Sequence, residues 1–278
     1  MNGENSYRGF CQTTGPNDSL RYPMNKNWTE IFEAEFALPV SAVAQGVWRQ
    51  VYGPEYPEGV EPYSYVSRTE LLHLATELHL DESAHFVDVG CGRGGPGLWV
   101  AVQTGAQVTG IDIAPSALAA AQARARSLGL SKRSNFLLGS FESIPLESDS
   151  MEAVMSVDAL LFTPDKLAAL RSICRVLRPG GRFVFTSWDY RVQPKNRPPQ
   201  VNDHRPLLEQ AGFIIHAYNE TDAWFDRVSR TNAGLLAAID ELAAESGIDV
   251  ATLRTGIAEA HATIECMLRR VFVVAQKL

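Results

Sequence analysis

Apolar positions change their spacing several times along the chain, and each change marks an element. Leu71, Leu74 and Leu78 recur at helical intervals and predict a helix over residues 67–80. The pattern then tightens to a short apolar run at 85–89, a strand that holds Phe86, Val87 and Val89. Residues 107–112 and 135–138 read as two further strands. Between them Pro115 opens and Gly129 closes an alanine-rich helix, the expected placement of each residue type. A fourth strand spans 152–157. Thr163, Pro164 and Asp165 then cap a helix whose Leu167, Leu170, Ile173, Cys174 and Leu177 share one face. That helix stops at the RPGG of 178–181, and 182–187 is a fifth strand. A short helix (203–211) and a sixth strand (213–218) follow. The helical stretch 221–268 carries an apolar stripe of Val250, Leu253, Ile257, Ala260, Ile264 and Met267, and the apolar end is a seventh strand. Strands alternating with helices at this spacing predict an α/β protein with a parallel, doubly wound sheet.

The segment before this pattern is different. Residues 1–27 are polar and turn-rich, and 28–52 read as two short helices broken near Pro39. A loop rich in proline and glycine leads on to Ser67. Aromatic residues crowd this region, Trp28, Phe32, Phe36, Trp48, Tyr63 and Tyr65 among them, as suits a cap over an apolar ligand. The expected organisation is therefore an aromatic-rich helical cap (1–66), a core (67–220), a helical lid (221–268) and a last core strand (269–278).

Residues 86–97, FVDVGCGRGGPG, are the stretch that points to chemistry. Asp88 stands at the end of the first strand, followed by Gly90, Gly92, Gly94, Gly95 and Gly97. So many glycines between a strand and a helix let backbone approach a ligand closely and present N–H groups to it. In a parallel sheet the ligand sits at the carboxyl ends of the strands. Asp88, Asp112, Ser140, Ser156, Asp158 and Trp188 lie at or just beyond those ends, whereas His79 and His85 lie near the opposite end.

Composition narrows the class. Apolar residues make up 45% of the chain, enough for a large core, and the formal net charge is −7 with no basic cluster. Phosphate binding needs a concentrated positive field, so nucleic acid is not an expected partner. Cys11, Cys91, Cys174 and Cys266 are far apart and form neither a disulfide framework nor a zinc site, so no metal is expected. With no signal-peptide pattern and no apolar run of about 18 residues, the expectation is a soluble, cytoplasmic protein away from membranes.

Taken together these motifs resemble class I S-adenosylmethionine-dependent methyltransferases, over roughly residues 81–220 plus the final strand. The DxGxGxG signature stands as Asp88, Gly90, Gly92 and Gly94. An acid closes strand two as Asp112, and GSFESIPLESDSMEAV and VLRPGGRFVF fill two further typical stretches. GCGRGG also satisfies the dinucleotide pattern GxGxxG. Asp88 two residues before the first glycine, the RPGG strand and the missing second half argue against a nicotinamide dehydrogenase.

The resemblance implies a Rossmann-like sheet of seven strands with strand seven antiparallel, and S-adenosyl-L-methionine as cofactor, leaving as S-adenosyl-L-homocysteine. Gly90, Cys91, Gly92 and Gly94 would pass the amino-acid and ribose parts of the cofactor, and Asp112 would accept the ribose hydroxyls. Ile113, Ser140 and Phe141 would meet adenine, Ser156 the methionine portion, and Tyr65, with Tyr63, would close over the cofactor. Ser140 departs from the family's usual aspartate. The turn after strand four reads LLFTPD where many relatives carry histidine. Asp158, His204 and His261 are then the candidates for a base, each with a structural role competing. The implied activity is methylation of O, N or C of a small, partly hydrophobic metabolite, as in natural-product biosynthesis. The alternative is a methyltransferase-fold protein that keeps the cofactor and performs another step such as a cyclisation. Monomer and homodimer stay open.

Overall fold

The computed structural model describes residues 27–195 and 197–278. The polar arm expected before residue 27 lies outside them.

The cap holds α1 (Trp28–Ala37) and α2 (Ala42–Tyr52), separated at Pro39 as expected. Asn27 and Ser41 cap them, each side chain accepting from a backbone N–H of its own first turn. Helix α3 (Arg68–Glu77) begins with a full capping box. Ser67 accepts from the N–H of Glu70, and the Glu70 carboxylate accepts from that of Ser67. Leu71, Leu74 and Leu78 are buried beneath it.

The core alternates as the sequence pattern requires: β1 (His85–Val89), α4 (Gly95–Thr104), β2 (Gln107–Asp112), α5 (Pro115–Ser127), β3 (Ser134–Leu138), β4 (Met151–Val157), α6 (Lys166–Val176), β5 (Leu177–Tyr190), α7 (Arg205–Gln210) and β6 (Phe213–Glu220). Helix α5 buries Ala117, Ala121 and Ala125, small side chains that allow α1 and the glycine loop to approach closely. Asp165 caps α6 by accepting from the N–H of Ala168. The lid is α8 (Trp224–Ala237), α9 (Ile239–Ser246) and α10 (Val250–Glu265), and β7 (Met267–Lys277) follows directly.

The seven strands lie in the order β3-β2-β1-β4-β5-β7-β6. β1 to β5 pair in parallel, and β7 runs antiparallel to both β5 and β6. The chain leaves β1 in one direction through β2 and β3, then returns to its other side at β4. The switch point, where doubly wound sheets bind ligands, is therefore at the carboxyl ends of β1 and β4.

One strand differs from expectation. β5 spans 177–190 rather than 182–187. Leu177 already pairs with Met151, and pairing resumes at Arg182 with Ala153 after an irregularity. At its far end β5 outruns β4 because β7 supplies partners: Trp188 lies opposite Arg270 and Asp189 opposite Arg269. This overhang raises Trp188, Tyr190 and Arg270 to the level of the switch point.

Cap and lid meet over that end of the sheet. A Cβ on Gly234 of α8 would stand 2.6 Å from Val47 Cγ1 of α2, so the two helices are in close contact. Helix α1 lies on α5, where Glu33 accepts from the backbone and hydroxyl of Ser116, both at 2.9 Å.

Candidate functional site

A cavity of about 830 Å3 opens at the switch point. One wall is the glycine loop with the ends of β1, β2 and β3. The other is aromatic and comes from the cap and the β4–α6 turn, with Gly256 and Glu259 of the lid beside it.

The glycine wall is set by backbone conformation. Gly90, Gly92 and Gly94 all have positive φ, between +52° and +74°, the region that side chains disfavour. A Cβ on Gly90 would stand 2.5 Å from that of Ala159, and one on Gly92 would meet the Phe36 ring at 3.1 Å. Asp112 stands beside the loop. Its Oδ2 accepts from the N–H of Gly92 at 2.8 Å and its Oδ1 from that of Ala114 at 3.0 Å. Burial pushes its carboxyl above the usual range, against the pull of these N–H groups. Asp88 sits deeper, accepting from Gly97 at the start of α4. Burial raises its pKa to about 7. Burial, with Asp112 and Asp88 nearby, also pushes the Cys91 thiol up. Ile113, Ser140 and Phe141 complete this side.

The aromatic wall is continuous. Trp28 and Phe32 both lie 4.9 Å from Phe162 between ring centres, and Phe36 lies 4.5 Å from Tyr63. Tyr65 packs edge-on against Trp188, and burial raises its phenol to about 12, so it is a neutral donor. Trp188 itself is buried behind Tyr65 and is not among the lining residues.

Three arginines hold or enter the site, and sequence reasoning passed over all of them. Arg93 reaches back from the glycine loop to the carbonyls of Phe36 and Leu38 and to Glu61, pinning α1 over the loop. Arg270 is buried and binds Glu70 at 2.5 Å and both oxygens of Asp158. Arg197 lines the cavity with its guanidinium 5.2 Å from the Trp28 ring and 5.4 Å from that of Phe162. An arginine in a loop or at a strand end carries no sequence signal of burial.

Of the sequence-predicted residues, Asp88, Gly90, Cys91, Gly92, Asp112, Ile113, Ser140, Phe141, Tyr63, Tyr65 and Asp158 line the cavity. Gly94 lies just behind, shaping the loop. Ser156 is fully buried and donates to the carbonyl of Val89 at 2.9 Å, so Val157 lines the cavity in its place.

The three candidate bases fare differently from one another. Asp158, with φ of +52°, lines the cavity, but Arg270, the Thr186 hydroxyl and the N–H of Tyr65 take its oxygens. His204 is completely buried away from the cavity, its Nδ1 2.9 Å from Asp189 Oδ1 and its ring against Phe185. His261 does not lie on the buried stripe of α10: its side chain is exposed, facing Glu265.

Residues 87–185 match a family described as "Methyltransferase domain". This stretch is similar to that family's domain. Among curated relatives, the methyltransferase GfsG of Streptomyces halstedii is 34% identical over 134 residues, 48% of each chain. A sterol 24-C-methyltransferase of Gibberella zeae is 31% identical over 178 residues, 62% of this chain and 45% of that one. The chain thus spans about half the length, or less, of these relatives. Among solved structures, the [4+2]-cyclase SpnF superposes with a TM-score of 0.67 at 23% identity, covering 88% of this chain and 95% of that one. A geranyl diphosphate C-methyltransferase of Streptomyces coelicolor A3(2) gives 0.62 at 17%, covering 91% and 99%. Both share the fold of this chain. No helix among the described residues is long and apolar enough to cross a membrane.

Proposed function

We propose that the chain binds S-adenosyl-L-methionine and transfers its methyl group to O, N or C of a small, partly hydrophobic metabolite. The observation that carries this reading is Asp112, a carboxylate fixed by two backbone N–H groups beside a positive-φ glycine loop, across a cavity from an aromatic wall.

The residues fit that cofactor. Each Asp112 oxygen spends one lone pair on backbone and keeps another for a ribose hydroxyl. The missing Cβ atoms at Gly90 and Gly92 leave backbone itself as the surface against the amino-acid and ribose parts. Ile113, Ser140 and Phe141 would meet adenine, the serine accepting one bond where the family usually has aspartate. Tyr65 and Tyr63, which line the cavity, would close over the cofactor. When bound, the cofactor supplies a methyl on an electron-poor sulfonium. The chain's own part is to hold the acceptor in line and to exclude water, which supplies much of the rate of such a transfer. Asp158 then acts as a structural anion rather than a base, and neither His204 nor His261 faces the cavity.

The scarcity of a free base also favours a second reading, a cofactor-binding protein that catalyses a cyclisation; the structural neighbour SpnF is a [4+2]-cyclase. Incubation with methyl-labelled cofactor and a metabolite extract separates the two. Label in a small acceptor supports the transferase. Cofactor binding without any label transfer overturns it in favour of the second. The net charge of −7 supports a small acceptor over nucleic acid, and the buried thiols of Cys91 and Cys174 suit a reducing, cytoplasmic setting.

A further inference from the structure

Gly46, Gly95, Gly97, Gly234 and Gly256 lie within helices. A glycine inside a helix destabilises it relative to alanine, because it adds freedom to the unfolded chain and brings no side chain to pack. For Gly95, Gly97 and Gly234 packing requires the small residue. A Cβ would stand 3.2 Å from Val60, 2.6 Å from Asp88 and 2.6 Å from Val47, respectively.

Gly256 of α10 has no such neighbour. Apart from the backbone of its own helix, no atom of the described residues lies within 4 Å of where its Cβ would stand, and its φ is not positive. Neither packing nor backbone conformation therefore asks for glycine. What the missing side chain leaves open is the cavity, because Gly256 is one of its lining residues. Gly46 of α2 is equally free of neighbours, but it does not line the cavity.

The rest of α10 gives this gap its surroundings. Thr263 and Ile264 anchor one end of the helix by burial, and the Asp249 side chain caps the other by accepting from the N–H of Thr252. The turns between carry Leu253, Ile257 and Ala260 of the apolar stripe, each only half-buried. Leu253 and Ala260 stand three positions before Gly256 and four after, so they are its neighbours on the helix surface. Gly256 is thus a dip in an apolar face. Glu259, one turn further on, also lines the cavity and bears electrostatically on Arg197, whose guanidinium packs against Trp28 and Phe162. This edge of the lid therefore looks toward the part of the aromatic wall that those two rings form.

Resting on the reading above that this cavity holds cofactor and acceptor together, we propose that Gly256 is a specificity-determining residue, and that the acceptor is a broad, multi-ring apolar body filling the space between the lid and the aromatic wall. Flat rings gain most from aromatic side chains on one side, and on the other they reach helix backbone only where no Cβ intervenes. A small acceptor leaves that space to water and gives α10 no use for a glycine. A side chain at position 256 occupies the acceptor's place, while the same change strengthens the helix, so stability and acceptor size trade against each other at this residue.

The test uses the full chain loaded with S-adenosyl-L-homocysteine and three probes of increasing ring number, phenol, 2-naphthol and 1-hydroxypyrene, in titration calorimetry. Wild type is expected to bind 1-hydroxypyrene at least about tenfold tighter than phenol, as its larger apolar area is buried. Gly256→Phe removes that gain and leaves phenol within about twofold of wild type, with S-adenosyl-L-homocysteine binding retained. Gly256→Ala lowers the ratio of the two affinities part-way and raises the melting temperature. Gly46→Ala raises the melting temperature as well and leaves every affinity unchanged. No gain with ring number in wild type, a gain that survives in Gly256→Phe, an equal loss for phenol and 1-hydroxypyrene, or a lower melting temperature or weaker S-adenosyl-L-homocysteine binding in Gly256→Ala each overturns the proposal. Should Gly256→Phe not fold, the ratio in Gly256→Ala decides, and an unchanged ratio overturns it. Failure of the wild type to bind S-adenosyl-L-homocysteine sinks the methyltransferase reading instead, and the same ratios, measured without it, still decide the role of Gly256.

Discussion

Arg270 grips both carboxylate oxygens of Asp158, Nε at 3.0 Å from Oδ1 and Nη2 at 3.1 Å from Oδ2. Its remaining nitrogen reaches Glu70 and the hydroxyl of Thr221. Burial pulls the guanidinium pKa down, and the two acids more than reverse this. Because Asp158 also accepts from the N–H of Tyr65, one buried ion cluster joins β4, β7, α3 and the cap. Removing one partner strands the other without compensation, a loss of about 3–5 kcal/mol. Arg270→Met is therefore expected to lower the unfolding free energy by that order in urea titration. Asp158→Asn combined with Arg270→Met recovers part of the loss, since asparagine tolerates the positive φ of this position.

Asp112 is the residue on which cofactor affinity turns. Asp112→Ala removes the acceptors for two backbone N–H groups as well as for the ribose hydroxyls. S-adenosyl-L-homocysteine binding is expected to weaken at least tenfold by calorimetry, with Asp112→Asn intermediate. Unchanged affinity in the alanine variant refutes the assignment.

Gly90 tests the cradle from the backbone side. An alanine there must adopt φ of +72° with its methyl 2.5 Å from that of Ala159. The strained backbone alone costs about 1–3 kcal/mol. Gly90→Ala should lower the melting temperature and abolish measurable cofactor binding together, whereas Gly129→Ala, strained but with no atom within 4 Å of its Cβ, should lower stability only.

Asp88 gives a pH signature. Its folded pKa of about 7 lies above the ordinary 3.8 because it is buried. Between these values the folded state binds more protons than the unfolded one, so stability from this group falls as pH rises from about 4 to 7. Melting curves of the cofactor-free protein should show this decline. Asp88→Asn, which cannot ionise but still accepts from Gly97, should flatten it.

The legible parts of the molecule were those written in periodicity and in glycine. The strand–glycine–helix run and Asp112 at the end of the next strand pointed to the glycine wall, because positive φ and close approach restrict residue type so strongly. Cap and lid were readable as aromatic and helical segments. What escaped depends on contacts distant in sequence. Ser156 has the right strand end, but its hydroxyl turns to Val89. His261 neighbours the apolar stripe of α10, yet its side chain stays in water while Ile264 is buried. Arg270 opens an apolar run and reads as a strand's solvated edge. Its burial follows from β5 outrunning β4, which no local pattern reveals.

The direct junction of α10 with β7 sets an order of assembly. During synthesis the glycine loop, Asp112 and β4 emerge well before residue 270, so the parallel strands can pair around the cofactor wall first. Asp158 then lacks its arginine partner until β7 slots between β5 and β6, although Arg93 and Glu33 already hold the cap to the core. The ion cluster beneath the cavity is thus completed only by the last strand of the sheet.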